Sequence, residues 1–288
     1  MKVPEVEAFF DETTFTVSYL IKDPASQRCA IIDPVLDYDP AAGRIRHVSA
    51  DRMVDFLRSR QLQVDWLLET HVHADHLSAV HYLKEQLGGR VAIGEQVRQV
   101  QVVFKKLFNV EAEFATDGSQ FDHLFTDEET FAIGELQGKV LHTPGHTPAC
   151  MTYLIGDIAF IGDTLFMPDY GTARTDFPGG DARTLYRSIQ RILALPDTTR
   201  LFLCHDYKAP GRDNYCWETT VAEQRQNNIH IHDGVSEADF VTLRKTRDAE
   251  SDVPRLLLPS VQVNMRAGEL PPPEVNGKRY LKIPLNVF

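Results

Sequence analysis

The segment His71-Val72-His73-Ala74-Asp75-His76, with three histidines and one aspartate in six residues, constrains this chain more than any other feature. It follows residues 64–69 (VDWLLE), an apolar run typical of a buried strand, and precedes a helical pattern ending at Gly88-Gly89. Neutral imidazole and carboxylate are ligands for zinc, iron and manganese. A single histidine in a turn is usually an exposed polar residue, but a cluster this dense favours a metal site.

Three further residues of ligand type also stand where an apolar strand ends and a loop begins. His146 lies in the tight turn HTPGHT, Asp163 ends IAFIGD, and His205 ends LFLCH. Taken alone, Asp163 would be read as a turn residue and His205 as a surface histidine. Because loop ends on a rigid scaffold commonly carry catalytic groups, we expect all three to converge on the histidine cluster.

The rest of the pattern alternates between strands and helices. Helices are predicted over 50–61 with Ser49 as N-cap, over 97–108, and over 182–195 with Asp181 as N-cap. Strands are predicted over 14–21, 28–33, 64–69, 91–93, within 121–141, over 150–155 and 159–161 as a hairpin, and over 201–204. This pattern predicts two sheets packed together with helices outside them.

The last 60 residues differ in character. A helix is predicted over 236–249, whereas residues 254–274 are proline-rich and are predicted to lack regular structure. We therefore predict a domain over residues 1–230 and an extension over 231–288 that packs on the same domain. A long C-terminal arm of this kind also suits a homodimer interface.

Composition excludes several classes of partner. The 41 acidic residues exceed the 30 Lys plus Arg and give a formal charge of −11, which disfavours nucleic acid and a polybasic membrane surface. No apolar run reaches the roughly 18 residues of a membrane span. The N-terminus lacks the pattern of a secretory signal, and the four cysteines are dispersed. We expect a cytoplasmic protein.

The ligand residues, in this order, resemble those of the metallo-β-lactamase fold superfamily over most of residues 10–230. The resemblance implies an α/β (α+β) fold, an αββα sandwich of two mixed β-sheets with flanking helices and the metal at one edge. The superfamily includes hydrolases and oxygenases, so the fold alone leaves the reaction open.

Residues 162–166 (GDTLF) and 174–180 (RTDFPGG) resemble the signature of the persulfide dioxygenases, although Thr172-Ala173 stands where the best-known members have Cys-Gly. The resemblance implies one Fe(II) per chain held by His71, His146 and Asp163, and oxidation of glutathione persulfide by O2 to sulfite and glutathione. Zinc or a dinuclear site is the alternative. Four residues are then either outer groups or ligands of a second metal: His73, Asp75, His76 and His205.

Two other functions remain open on the sequence. One is a glyoxalase II-like hydrolase of S-acyl glutathione thioesters; the other is a sulfur-carrier or metal-binding protein without turnover. Because glutathione carries two carboxylates, we expect cations in its pocket, with Arg212, Lys208 and Arg174 as candidates and Tyr215 as a packing surface. For Arg174 the competing interpretation is a structural ion pair with Asp176.

Overall fold

The computed structural model describes residues 3–287 and contains two six-stranded sheets. In chain order the elements are β1 (Glu5–Asp11), β2 (Thr16–Lys22), β3 (Arg28–Ile32), β4 (Val35–Asp39), β5 (Arg44–Arg46), α1 (Val48–Ser59), β6 (Gln63–Leu68), β7 (Leu77–Ser78), α2 (Val80–Leu87), β8 (Arg90–Gly94), α3 (Val97–Leu107), β9 (His123–Phe125), β10 (Thr130–Ile133), β11 (Leu136–His142), β12 (Met151–Ile155), β13 (Ile158–Phe160), α4 (Ala182–Leu193), β14 (Arg200–Phe202), β15 (Glu218–Thr220), α5 (Val221–Asn227), α6 (Glu237–Asp248) and α7 (Leu257–Asn264).

Both sheets are mixed. The first has the order β1-β2-β3-β6-β8-β9, in which β1 to β3 are antiparallel and β3, β6, β8 and β9 are parallel. The second has the order β10-β11-β12-β13-β14-β15 and is antiparallel except for the β13–β14 pair. A small sheet of β5, β4 and β7 completes the strands.

Alternating strand side chains divide the apolar interior into layers. Leu68 of β6 packs with Tyr153 and Phe160 of the second sheet, whereas its neighbour Leu67 joins the opposite core with Leu83 of α2. Successive strand side chains point to opposite faces, so each sheet has one face against the other sheet and one against helices. The predicted αββα sandwich is confirmed.

Most helix predictions are close to the observed bounds. Asp181 caps α4 by accepting a hydrogen bond from the Thr184 backbone N–H, as predicted. Ser49 is not an N-cap: α1 begins at Val48, and the Ser49 hydroxyl instead donates to Asp37 Oδ1 at 2.7 Å. No helix within residues 3–287 is both long and apolar enough to cross a bilayer.

The prediction of irregular structure over 254–274 is wrong in part, because helix α7 occupies Leu257–Asn264. Pro259 falls in its first turn, where the backbone N–H groups have no intrahelical partner and proline is tolerated. Val261 and Val263 are fully buried in the same core as Leu67. Burial on the first sheet, which the local sequence does not reveal, stabilises this short helix.

The strand directions bring the predicted ligand loops to one edge. β12 is antiparallel to both β11 and β13, and β13 is parallel to β14, so β11, β13 and β14 end on the same side of their sheet. Met151 N–H donates to Thr70 O at 2.9 Å, which joins the loop after β6 to this edge. The loops that follow these four strands therefore lie together.

Candidate metal centre

Two imidazoles and one carboxylate meet at this edge. His71 Nε2 lies 3.8 Å and His146 Nε2 lies 3.6 Å from Asp163 Oδ2. One ligand atom from each residue lies within 4.8 Å of those of the other two, and all three side chains are buried. The structure thus brings together the three residues proposed as ligands, while their occupation by a metal stays a prediction.

Hydrogen bonds to the Nδ1 atoms fix the tautomers of both histidines. Thr70 Oγ1 donates to Asp33 Oδ2 at 2.8 Å, so it accepts from His71 Nδ1 at 3.0 Å. His146 Nδ1 donates to the carbonyl oxygen of Arg174 at 2.8 Å. Both Nε2 atoms therefore carry the lone pair that a metal requires, and burial holds the pKa of His71 well below its ordinary value.

Several buried atoms of this region have no hydrogen-bond partner among residues 3–287. Buried polar atoms in proteins are nearly always paired, so such a group indicates a missing partner. Histidine nitrogen and carboxylate oxygen suit a transition metal, which makes this donor set fit for an ion. The unpaired atoms of this region are His71 Nε2, His73 Nδ1 and Nε2, His76 Nε2, His205 Nε2, Asp163 Oδ1 and Glu69 Oε2.

A second group of possible ligands adjoins the first. His205 Nε2 lies 3.4 Å from Asp75 Oδ2 and 3.4 Å from Asp163 Oδ1. His205 Nδ1 donates to Phe15 O, and His76 Nδ1 donates to Asp75 Oδ2 at 3.0 Å, so both Nε2 atoms keep their lone pairs. Although burial opposes it, the neighbouring His205 and His76 hold the pKa of Asp75 well below its ordinary value.

His73 differs from the other histidines of the cluster. Its Nε2 lies 3.0 Å from Asp33 Oδ1 and 3.2 Å from Glu69 Oε2. Although burial would lower it, these carboxylates raise the pKa of His73 well above its ordinary value, while burial raises the pKa of Glu69 to about 7. One ring nitrogen of His73 also lies within 4.8 Å of ligand atoms of Asp75 and His76.

Two residues that the sequence analysis did not select hold the ligand loops in place. Gly162 has φ +52°, and a Cβ there would lie 2.7 Å from Thr70 Oγ1, the hydroxyl that orients His71. Asn264 of α7 donates to the carbonyl oxygens of His73 and His76 at 2.9 and 2.8 Å. Its Oδ1 accepts from the Ser78 N–H at 2.7 Å. No motif in the sequence marks Asn264, since it lies far along the chain.

A cavity of about 470 Å³ opens onto the cluster. Asp75, His146 and Asp163 line it on the metal side. Aromatic rings form much of the wall, and the C-terminal segment contributes several arginines. The lining includes Phe15, Phe166, Tyr170, Tyr207, Arg174, His230, Arg244, Arg247 and Arg255.

The four residues predicted to contact substrate have different placements. Arg174 lines the cavity, but its guanidinium pairs with Asp176 at 2.5 Å, as the structural interpretation expects. Among residues 3–287, the side chains that line the cavity do not include the other three, Arg212, Lys208 and Tyr215. Arg212 forms ion pairs with Asp206 at 2.5 Å and Asp169 at 2.7 Å. Lys208 Nζ lies 4.3 Å from the Tyr215 ring centroid. Their contact with substrate remains a prediction.

The arginines of the C-terminal segment were missed. Arg244 and Arg247 are three residues apart on α6, a spacing that places them on one helix face, and Arg255 precedes α7. This spacing was a usable signal, but nothing local showed that this face turns toward the metal loops.

The family model of the metallo-beta-lactamase superfamily matches residues 12–205, which contain all seven candidate ligands. This chain belongs to that superfamily. Among superfamily relatives, the chain is 58% identical to a probable metallo-hydrolase of Burkholderia pseudomallei, over 98% of this chain and 99% of that one. It is 51% identical to glyoxylase B2 of Dictyostelium discoideum, over 98% and 97%. It spans 66% of a beta-lactamase hydrolase-like protein of Agrobacterium fabrum, with 52% identity.

Superfamily members that carry the name ETHE1 are more distant. The mitochondrial persulfide dioxygenase ETHE1 of Bos taurus is 29% identical, over 92% of this chain and 89% of that protein. The crystal structure of ETHE1 from Myxococcus xanthus superposes with a TM-score of 0.73 and 30% identity, over 92% of this chain and all of that one. The resemblance to the superfamily and to this group of relatives is thereby confirmed.

Proposed function

We propose that the protein is a mononuclear Fe(II) persulfide dioxygenase. The observation that carries the proposal is the cluster of His71, His146 and Asp163, since two histidines and one carboxylate with open positions are typical of non-haem iron oxygenases. His73 Nε2 lies within ion-pair distance of Asp33 and Glu69, whose charges raise the His73 pKa despite its burial and favour a protonated ring without a lone pair, which supports a three-residue ligand set. The relative named persulfide dioxygenase ETHE1, at 29% identity, and the solved structure of an ETHE1, at 30% identity, support the same reaction class.

The proposed reaction converts glutathione persulfide, O2 and water into glutathione and sulfite. Fe(II), when bound, supplies the one-electron chemistry that allows O2 to react with sulfur. The protein's residues orient the ligands and enclose the substrate. Thr70 and the Arg174 carbonyl hold the imidazoles of His71 and His146 in place. Rings of the cavity wall, such as those of Phe166 and Tyr207, limit water around the reacting sulfur. His205 and Asp75 lie beside the cluster, where they can hydrogen-bond substrate or water.

An oxygen-electrode assay combined with metal analysis tests the proposal. The purified protein is expected to hold about one iron per chain and to consume one O2 for each sulfite formed from glutathione persulfide. Hydrolysis of S-lactoylglutathione at an ordinary enzymatic rate, with two metals bound and no O2 uptake, would overturn it.

The ligand assignment has its own test. Because Asp163 contributes the carboxylate of the cluster, Asp163→Ala is expected to weaken iron binding by more than about 100-fold, beyond the loss typical of an outer-shell change. Asp157→Ala, which removes an exposed carboxylate from the turn between β12 and β13, serves as the control and should retain its iron. Full iron content in the Asp163 variant would refute the assignment.

A glyoxalase II-like hydrolase is the second candidate. It is favoured by the Asp75, His76 and His205 group, in which both histidine Nε2 atoms are unpaired and that of His205 lies 3.4 Å from Asp163 Oδ1, an arrangement that suits a second ion. The 51% identity to glyoxylase B2 points the same way. Two zinc ions per chain and thioester hydrolysis that does not depend on O2 would establish it in place of the dioxygenase.

A further inference from the structure

The C-terminal segment supplies a group of arginines to the cavity wall. Arg244 and Arg247 come from α6 and Arg255 from the turn before α7; Arg174, from the loop after β13, makes the fourth. These residues lie in one cavity with the candidate metal ligands, in a chain whose formal charge is −11. Such a concentration of positive charge in an acidic protein indicates an anionic ligand.

Two of the four arginines are already neutralised. Arg244 pairs with Asp248 at 2.9 Å and Arg174 with Asp176 at 2.5 Å. Arg247 and Arg255 have exposed side chains that form neither an ion pair nor a hydrogen bond with any residue from 3 to 287. The cavity therefore keeps two uncompensated guanidinium groups.

A buried neutral donor accompanies them. The Thr172 N–H donates to His230 Nδ1 at 3.0 Å, so the ring proton is on Nε2, which has no hydrogen-bond partner within the described chain. Burial, aided by Arg247 and Arg244, lowers the pKa of His230 to about 4 and keeps the ring uncharged near neutral pH. Gly171 permits this contact, because a Cβ there would lie 2.1 Å from His230 Nδ1.

We propose that Arg247 and Arg255 bind a carboxylate of the thiol that carries the reacting sulfur, and that they restrict the enzyme to anionic carriers. The inference rests on the proposed function for the identity of the reacting group, but the binding it describes does not require turnover. Guanidinium groups match carboxylates in shape and charge, and glutathione presents two carboxylates. Arg247 and Arg255 are specificity-determining residues that take no part in the chemistry.

Calorimetric titration with glutathione tests the binding directly. Arg247→Ala/Arg255→Ala is expected to bind glutathione at least about tenfold more weakly than the native protein, as for the loss of charged hydrogen bonds. Glutathione diethyl ester, which lacks both carboxylates, should bind the native and variant proteins equally. Lys245→Ala removes a positive charge from the same helix outside the cavity lining and should match the native protein. Equal glutathione affinity in the double variant and the native protein would overturn the proposal.

Steady-state kinetics separate this inference from the proposed function. With glutathione persulfide, the double variant should show a KM raised about tenfold and an unchanged kcat. With 2-hydroxyethyl persulfide, which is uncharged outside the reacting sulfur, KM should not change. Carboxylate-dependent binding without O2 uptake would contradict the dioxygenase proposal and agree with the role given to the two arginines. O2 uptake with equal KM values for the native and variant proteins would agree with the dioxygenase proposal and contradict the role of the arginines.

Discussion

At the scale of single residues, the candidate centre depends on which nitrogen of each histidine is occupied by a hydrogen bond. Four histidines use Nδ1 for a hydrogen bond to the protein and leave Nε2 free of one: His71, His76, His146 and His205. His73 has the opposite arrangement, with Nε2 toward Asp33 and Glu69. Since the second ring nitrogen sets the tautomer, these partners decide which histidines offer a lone pair to a metal.

Protonation of His230 should make the free energy of unfolding depend on pH. Its folded pKa of about 4 lies below the ordinary value of 6.5, so between these values the unfolded chain binds a proton that the folded chain does not. The free energy of unfolding should therefore fall as pH decreases from 6.5 to 4, and this contribution should level off below 4. His230→Gln keeps an acceptor for the Thr172 N–H but does not titrate.

Urea unfolding at pH 7.5, 6 and 5 measures this effect. The native protein is expected to lose more stability than His230→Gln across the series. Parallel pH profiles for the two proteins would show that His230 is not the group that binds the proton.

At the scale of elements, helix α7 completes the hydrogen bonding of the loop that carries His73, Asp75 and His76. Asn264, almost fully buried, satisfies two carbonyl groups and one N–H group of residues 73–78 with a single side chain. Gln101 of α3 donates to Met265 O at 2.9 Å and secures the end of the same helix. The geometry of the loop therefore depends on a helix outside the region that the family model matches.

Asn264→Ala tests this dependence. It leaves up to three buried backbone groups unpaired, each at a cost of about 1–3 kcal/mol, so the free energy of unfolding should fall by roughly 3 kcal/mol or more. Asn276→Ala, in the exposed tail, should change it by less than about 0.5 kcal/mol. Urea denaturation of both variants measures the difference, and equal stabilities would contradict the role given to Asn264.

The elements also show what the sequence could predict. Strand ends carrying His71, His146, Asp163 and His205 were identifiable because apolar runs stop at ligand-type residues. α7 was not, because the prolines in and around it, such as Pro254 and Pro259, predict irregular structure until the surrounding packing is known. The arginines of α6 were missed for the same reason: a local pattern gives a helix face but not the surface that it meets.

At the scale of the whole molecule, the hydrophobic clusters cross the predicted boundary at residue 230. Ile231 and Phe240 belong to the same cluster as Leu185 of α4, while Leu257 and Val261 belong to that of Leu67. Because both outer layers of the sandwich include residues from 231–288, this segment should unfold together with the rest of the chain.

Thermal unfolding followed by circular dichroism and by tryptophan fluorescence is therefore expected to show one coincident transition. Removing the proposed metal by chelation should lower the Tm of that transition without splitting it, because an ion that binds only the folded state stabilises it by mass action. A separate early transition for the C-terminal segment would show instead that it is an independent unit.

The Asn264 contacts also have a consequence for biosynthesis. The side chain that holds the His73 and His76 carbonyls lies 191 and 188 residues after them in the chain. A nascent polypeptide can therefore form both sheets and present most of its histidines before the residue that fixes their loop has been translated. Acquisition of the proposed metal in the native geometry would then be one of the last events in making this protein, after synthesis of nearly the whole chain.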